Sequence, residues 1–279
     1  MLKSWLKLTR MEHSIMLSIA VIAAELLAGG VSLVVMLVSL IAPWLISMGA
    51  FAINDYYDIE ADRANKRYDR PLVNGSISKE SAYKASIIFF IVGVLFSIFN
   101  LYTFIIALLF AILAFLYSYK LKDTLLIGNI YIAFTMVIPF IYGAEVAFTS
   151  INVNIILISI LIFLAGLARE IHGMIRDYEG DKKARKSNNL ITHIGIRNSA
   201  VIAFILYLEA IIISLYLFFY LAPFMDNIIF LLMIAVTDAM LFYVSIIYLK
   251  EWKEKYRESR NISLVGMSLA LFAFLVAVL

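Results

Sequence analysis

Two acidic clusters in this 279-residue chain combine the residue types and spacing that metal chemistry needs. In "NDYYDIEAD", positions 54 to 62, Asn54, Asp58 and Asp62 stand at i, i+4 and i+8. On a helix this spacing makes one stripe, its members about 6 Å apart along the axis. Asp55 shares part of that face as a supporting partner, and Glu60 falls outside it. In "REIHGMIRDYEGDKKARK", which begins at position 169, Asp177 and Asp181 are again four apart, and Glu170 lies two turns before Asp177. Carboxylates in such a row repel one another unless a cation lies between them, and an all-oxygen ligand set favours Mg²⁺ or Ca²⁺.

Cations are interleaved with both stripes: Arg63, Lys66, Arg67 and Arg70 follow the first, Lys182 and Lys183 the second. Mg²⁺ held by one or two carboxylates takes its remaining ligands from substrate phosphates and water, while Arg and Lys neutralise the other phosphate oxygens. Either cluster alone fits equally a solvated loop whose acids balance nearby bases. The pair, at matching spacing, points to two halves of one site for a diphosphate head.

The elements that must position these residues are membrane helices. The chain is 63% hydrophobic and 15% charged, with a mean hydropathy of +0.95, against about 45 to 50% apolar and 25% charged for soluble domains. Nine apolar segments, 14–29, 33–53, 83–99, 101–119, 125–148, 155–173, 199–220, 228–249 and 262–279, predict an all-α, polytopic bundle of nine transmembrane helices forming a single domain over residues 1–279. All 23 Lys and Arg fall in alternate connections, and the intervening ones ("GGVS", the turn at Asn100, "TSINVN", "LAPFMDN") have none. The positive-inside rule then predicts a multi-pass protein of the cell membrane, with the N-terminus and both acidic motifs cytoplasmic and the C-terminus outside. The basic lead-in "MLKSWLKLTRMEH" predicts no cleavable signal, and the absence of Cys excludes disulfides and thiolate ligands. Diphosphate chemistry at the mouth of a membrane helix implies a substrate with a lipid tail and gives no reason to expect nucleic acid. An ion-coupled transporter is the rival class, but it predicts charges near the bilayer midplane.

The arrangement resembles the UbiA superfamily of intramembrane prenyltransferases, which pairs an N-D-x-x-D-x-x-x-D motif after its second helix with D-x-x-x-D after its sixth. "RMEHS" at 10–14, "NKRYDRPLVNGSIS" at 65–78 and "YSYKLKDTLLIGN" at 117–129 are similar to further family segments, so the likeness runs through most of the chain. The resemblance implies a nine-helix bundle whose central cavity opens to the cytoplasmic side. It implies that Mg²⁺ joins the two motifs to an isoprenoid diphosphate, whose ionisation gives an allylic carbocation captured by a lipid-soluble acceptor. Carried over by position, Asn54, Asp58, Asp62, Asp177 and Asp181 are expected metal or diphosphate ligands. Arg10, Arg63, Lys66, Arg67, Arg70, Lys120, Lys122, Glu170 and Tyr117 are expected to bind substrate. Met174 stands where many archaeal-type members carry another Asp, and "RKSNNL" replaces their Gly-x-x-Thr-Leu. Within the family the chain is most similar to the archaeal branch that transfers a geranylgeranyl group from its diphosphate to the free hydroxyl of geranylgeranylglyceryl phosphate, in ether-lipid synthesis. An aromatic acid or quinone precursor is the alternative acceptor.

The remaining polar residues read as structural. His13, His172 and His193 lack metal-ligand spacing, and His172 is expected to be a packed, hydrogen-bonded histidine. Glu25, Glu209 and Asp238 fall within apolar spans and predict hydrogen bonds between helices, while Glu145 lies toward the outer interface.

Overall fold

The computed structural model describes residues 1–64, 66–124, 126–147, 152–184, 190–250 and 252–279, and the regular elements in them are all helical. They are α1 (Leu2–Leu8), α2 (Glu12–Leu27), α3 (Leu33–Ser39), α4 (Ile41–Ala64), α5 (Lys79–Leu95), α6 (Leu101–Tyr119), α7 (Ile127–Val146), α8 (Val153–Ala184), α9 (Leu190–Tyr220), α10 (Ile228–Lys250) and α11 (Trp252–Val278). A single 3₁₀ turn, Leu121–Asp123, follows α6. Each of the nine expected apolar segments falls on a helix. Seven helices among the described residues are long and apolar enough to cross a membrane, and a shorter apolar one covers His13–Leu27.

The differences from the sequence reading are one break, one bend and the positions of several helix ends. The segment expected over 33–53 is broken at Leu40 into α3 and α4, and α3 starts at an N-cap, Ser32, whose hydroxyl accepts from the Val35 amide at 3.4 Å. α4 then runs to Ala64, and α8, expected to stop at 173, runs to Ala184. Both acidic motifs are therefore helical rather than parts of loops. Their i, i+4 polar residues continue the helical period beyond the apolar stretch, so the helix survives where the hydropathy falls. α9 likewise starts before its expected span and bends at Gly195, where φ is 80°.

Small residues let the helices approach. Ala20, Ala23, Ala24, Ala200, Ala203 and Ala273 are buried at helix contacts. α2 packs against α7, α11 and α4 inside the bundle. Its approach to α7 is close enough that a Cβ on Gly143 would overlap the Val21 carbonyl. An aromatic group of Phe224, Phe230 and Phe274, with ring centroids 4.8 to 5.9 Å apart, locks α10 to α11.

The segment between α4 and α5 folds back under the motif helix. Leu72 and Ile77 are buried with Leu8 of α1 and Ile59 of α4. Lys7 pairs with Asp69 at 3.3 Å, and its ammonium holds the Asp69 carboxyl below the usual carboxylate range. The turn is closed by the Asn74 side chain, which accepts from the Ser76 amide at 3.0 Å, and by Gly75 at φ 77°. Ser78 then caps α5. This folding holds the basic loop against the acidic face of α4.

Candidate active site

Because α4 continues past Ile53, Asn54, Asp58 and Asp62 share one helix face. The Asn54 amide donates to Asp58 Oδ2 at 3.1 Å. Lys122, just past α6, forms an ion pair with Asp58 Oδ1, and its side chain is 14% exposed. Arg67 donates to Asp62 Oδ1 at 3.2 Å, and Arg70 Nε lies 3.9 Å from Asp62 Oδ2. Each carboxylate of the stripe therefore already faces a cation.

Asp55 has a different environment. It is 2% exposed, accepts from Arg70 at 2.8 and 3.0 Å, and accepts from Arg10 at 3.2 Å. Arg10 sits in the turn between α1 and α2 with φ 48°, its guanidinium 4.5 Å above the Phe51 ring. Burial lowers the Arg10 pKa, and the adjacent Asp55 carboxylate opposes that shift. Asp55 thus ties the N-terminal segment, α4 and the basic loop together. Three expected substrate contacts form no ion pair with the stripe among the described residues: Arg63 pairs at 3.4 Å with the outward-facing Glu60, which is 81% exposed, and Lys66 and Lys120 are exposed to solvent.

On α8, the exposed carboxylate of Asp177 accepts two hydrogen bonds from Arg176, at 2.7 and 2.6 Å. Glu170 is hydrogen-bonded to Asn129 of α7, with Arg169 and Arg176 nearby. Asp181 lies in the last turn of α8, and its side chain is outside the described residues.

The two motif helices share a cavity of about 580 Å³. Arg10, His13 and Asn54 border it from one side and Arg169 of α8 from the other, while the rest of its lining is largely apolar. Asp58 and Asp62 lie one and two turns beyond Asn54, past the lining residues. Tyr117 and Tyr131 also face the cavity, their rings stacked with centroids 4.9 Å apart. A charged rim over an apolar interior accommodates a molecule with an anionic head and a hydrocarbon tail.

The donors suit Mg²⁺ in chemistry: Asn54, Asp58, Asp62 and Asp177 offer only hard oxygens. Among the described residues no three His, Asp or Glu side chains converge on one point. An ion held here would need further ligands from phosphate and water, as Mg²⁺ usually takes.

Sequence reasoning missed Arg169, whose place in the cavity only the packing of α8 reveals. Glu25 and Asp238 do bond across helices, accepting from Ser39 at 2.5 Å and Ser214 at 2.7 Å. Glu209, expected to do the same, is exposed on α9. His172 is buried and stacked on Tyr248 at 3.8 Å, with no hydrogen-bond partner at either ring nitrogen among the described residues. It is a packed histidine, as expected, but not the hydrogen-bonded one.

The model of the UbiA prenyltransferase family matches residues 15–275. A digeranylgeranylglyceryl phosphate synthase of Archaeoglobus fulgidus is 34% identical, over 98% of this chain and 96% of that protein. A solved structure concerning digeranylgeranylglyceryl phosphate synthase in membranes has 31% identity and a TM-score of 0.80, covering 99% of this chain and 98% of that one. A UbiA homologue from Archaeoglobus fulgidus bound to GPP and Mg²⁺ has the same fold at 21% identity, with a TM-score of 0.70 over 99% of both chains.

Proposed function

The chain belongs to the UbiA prenyltransferase family, and from that premise we propose that it transfers a geranylgeranyl group from geranylgeranyl diphosphate to the free hydroxyl of geranylgeranylglyceryl phosphate. The observation that carries this reading is the cavity whose rim holds Arg10, Asn54 and Arg169 and whose interior is largely apolar. It is supported by the 34% identity, through nearly the whole length, to a synthase of that kind.

Asn54, Asp58, Asp62, Asp177 and Asp181 would hold Mg²⁺, which supplies Lewis-acid stabilisation of the departing diphosphate. Lys122, Arg67 and Arg70 already sit against the acids of the first motif. They give N–H donors to phosphate oxygens as negative charge grows on the leaving group. The donor C–O bond breaks with its electron pair going to the diphosphate, and the acceptor's hydroxyl oxygen forms the ether bond and gives up its proton. The stacked Tyr117 and Tyr131 rings offer π-faces to the developing allylic cation. The apolar lining keeps water from competing with the acceptor. An acceptor that carries its own phosphate needs further cations, and Arg10 and Arg169 stand beside the same cavity.

The protein would cross the cell membrane nine times as one domain, with the N-terminus and the motifs facing the cytoplasm. The confinement of all 23 Lys and Arg to alternate connections supports this orientation.

The test is turnover by the purified chain supplied with Mg²⁺ and both geranylgeranyl substrates, read as pyrophosphate and doubly prenylated product. EDTA should abolish the reaction and excess Mg²⁺ restore it, and Asp58→Asn or Asp62→Asn should remove it while the protein stays folded. Product from an aromatic acceptor, with none from the lipid phosphate, would overturn the acceptor assignment and leave the prenyl transfer standing.

A further inference from the structure

The cavity has a polar rim, yet one acid faces it at depth. Asp238 of α10 is the only carboxylate among the described residues that line it. It stands twelve residues before Lys250 at the end of α10, which places it about 18 Å along the helix from that end. Its Oδ2 accepts from Ser214 Oγ of α9 at 2.7 Å. The lining around the pair is apolar: Ile234, Leu241, Met267 and Phe274. The other lining hydroxyls of α10 and α11 are turned into the backbone, Thr237 donating to the Gly266 carbonyl at 3.1 Å and Ser268 to that of Leu264 at 2.8 Å. Asp238 therefore presents a carboxylate to the cavity where the neighbouring lining of α10 and α11 is apolar or turned into the backbone.

An acid inside a membrane bundle opposes hydrocarbon. A tail pressed against Asp238 would strip solvent from the carboxyl and return no hydrogen bond, whereas a tail that ends before it lies against a largely apolar lining. We propose that the Asp238–Ser214 pair is a polar stop that sets the longest isoprenoid tail this cavity accepts. The proposal rests on the prenyltransferase reading and adds to it a residue that determines chain-length specificity. The tail can belong to the diphosphate donor or to the acceptor, and the two arms of the test separate them.

The experiment compares kcat/KM of the full chain for geranylgeranyl diphosphate and for a diphosphate one isoprene unit longer, with the acceptor fixed. A second arm lengthens the acceptor's tail with the donor fixed. Asp238→Leu should raise the longer-to-normal ratio about tenfold in one of the arms, equivalent to about 1.4 kcal/mol. Asp238→Asn, which keeps a polar group beside Ser214, should leave the ratio near that of the unmodified chain. Asp238→Ala serves if the leucine variant does not fold. A ratio within about twofold of the unmodified chain in both arms, or an asparagine variant that shifts as far as the leucine one, overturns the stop. Absence of turnover by the unmodified chain overturns the functional reading and the stop with it, whereas turnover with an unchanged ratio overturns the stop alone.

Discussion

Replacing Asp55 with Asn tests whether this carboxylate is the structural keystone of the motif end of the bundle rather than a member of the Asn54, Asp58 and Asp62 stripe. The substitution keeps the side chain's size and removes its charge. Asp55 accepts three hydrogen bonds from two guanidinium groups, at 2.8, 3.0 and 3.2 Å, and it is 2% exposed while Arg70 is 13% exposed. Removing one partner of a buried ion pair leaves the other charge uncompensated, at a cost of about 3 to 5 kcal/mol. The exposure of Arg10, 24%, moderates its share, so a loss near the lower end, about 3 kcal/mol, is expected. Unfolding by SDS in mixed micelles measures it. A double-mutant cycle with Arg70→Gln isolates the pair, and coupling of about 1.5 to 3 kcal/mol is expected for groups in direct contact. Coupling below about 0.5 kcal/mol, or an Asp55→Asn protein as stable as the parent, would refute the reasoning. The ion pairs would then be incidental, and the basic loop would be held by Leu72 and Ile77 alone.

Two other substitutions separate chemistry from packing. Lys122→Ala removes the cation at Asp58 and should reduce kcat/KM for the diphosphate donor about 10- to 100-fold, the equivalent of a charged hydrogen bond of about 1.5 to 3 kcal/mol. Circular dichroism should show the fold unchanged, and a loss of helix would mean that the pair is needed for folding instead. Gly143→Ala places a Cβ against the Val21 backbone and should destabilise the α2–α7 contact by about 1 to 3 kcal/mol in the same SDS titration, while Gly143→Ala with no measurable effect would show that the two helices shift apart freely.

How much of this was legible in the sequence follows from what each feature depends on. The helices were legible because backbone polar groups in hydrocarbon are satisfied only in helices or closed barrels, and continuous apolar runs of helix-spanning length, rather than short alternating strands, point to helices. The stripe of Asn54, Asp58 and Asp62 was legible because helical spacing is fixed by the backbone. The ends of α4 and α8 were not, since hydropathy marks where the apolar environment stops and not where the helix stops. Which cation meets which acid was also hidden. Arg63 lies next to the motif in sequence yet pairs outward with Glu60, and Lys122, distant in sequence, reaches Asp58. Arg169 looked like part of a charged run, and only the packing of α8 brings it to the cavity.

The two neighbours Asp55 and Asp58 show why charge type alone does not separate support from chemistry. Both are acids on one helix, three residues apart, and each is met by cations. Asp55 is committed: three hydrogen bonds and almost complete burial leave its carboxylate no room to exchange partners, since losing Arg70 or Arg10 strands a charge away from water. Asp58 is reachable: its side chain is 24% exposed, it faces one flexible lysine, and its other oxygen is held by an amide rather than a second charge. Replacing one lysine contact with a metal ion and phosphate is a small rearrangement of a partly solvated group. Replacing two guanidinium groups would dismantle the loop that they anchor. Burial and the number of fixed partners, rather than the motif's spelling, therefore mark the first acid as architecture and leave the second free for the metal-binding role proposed for it.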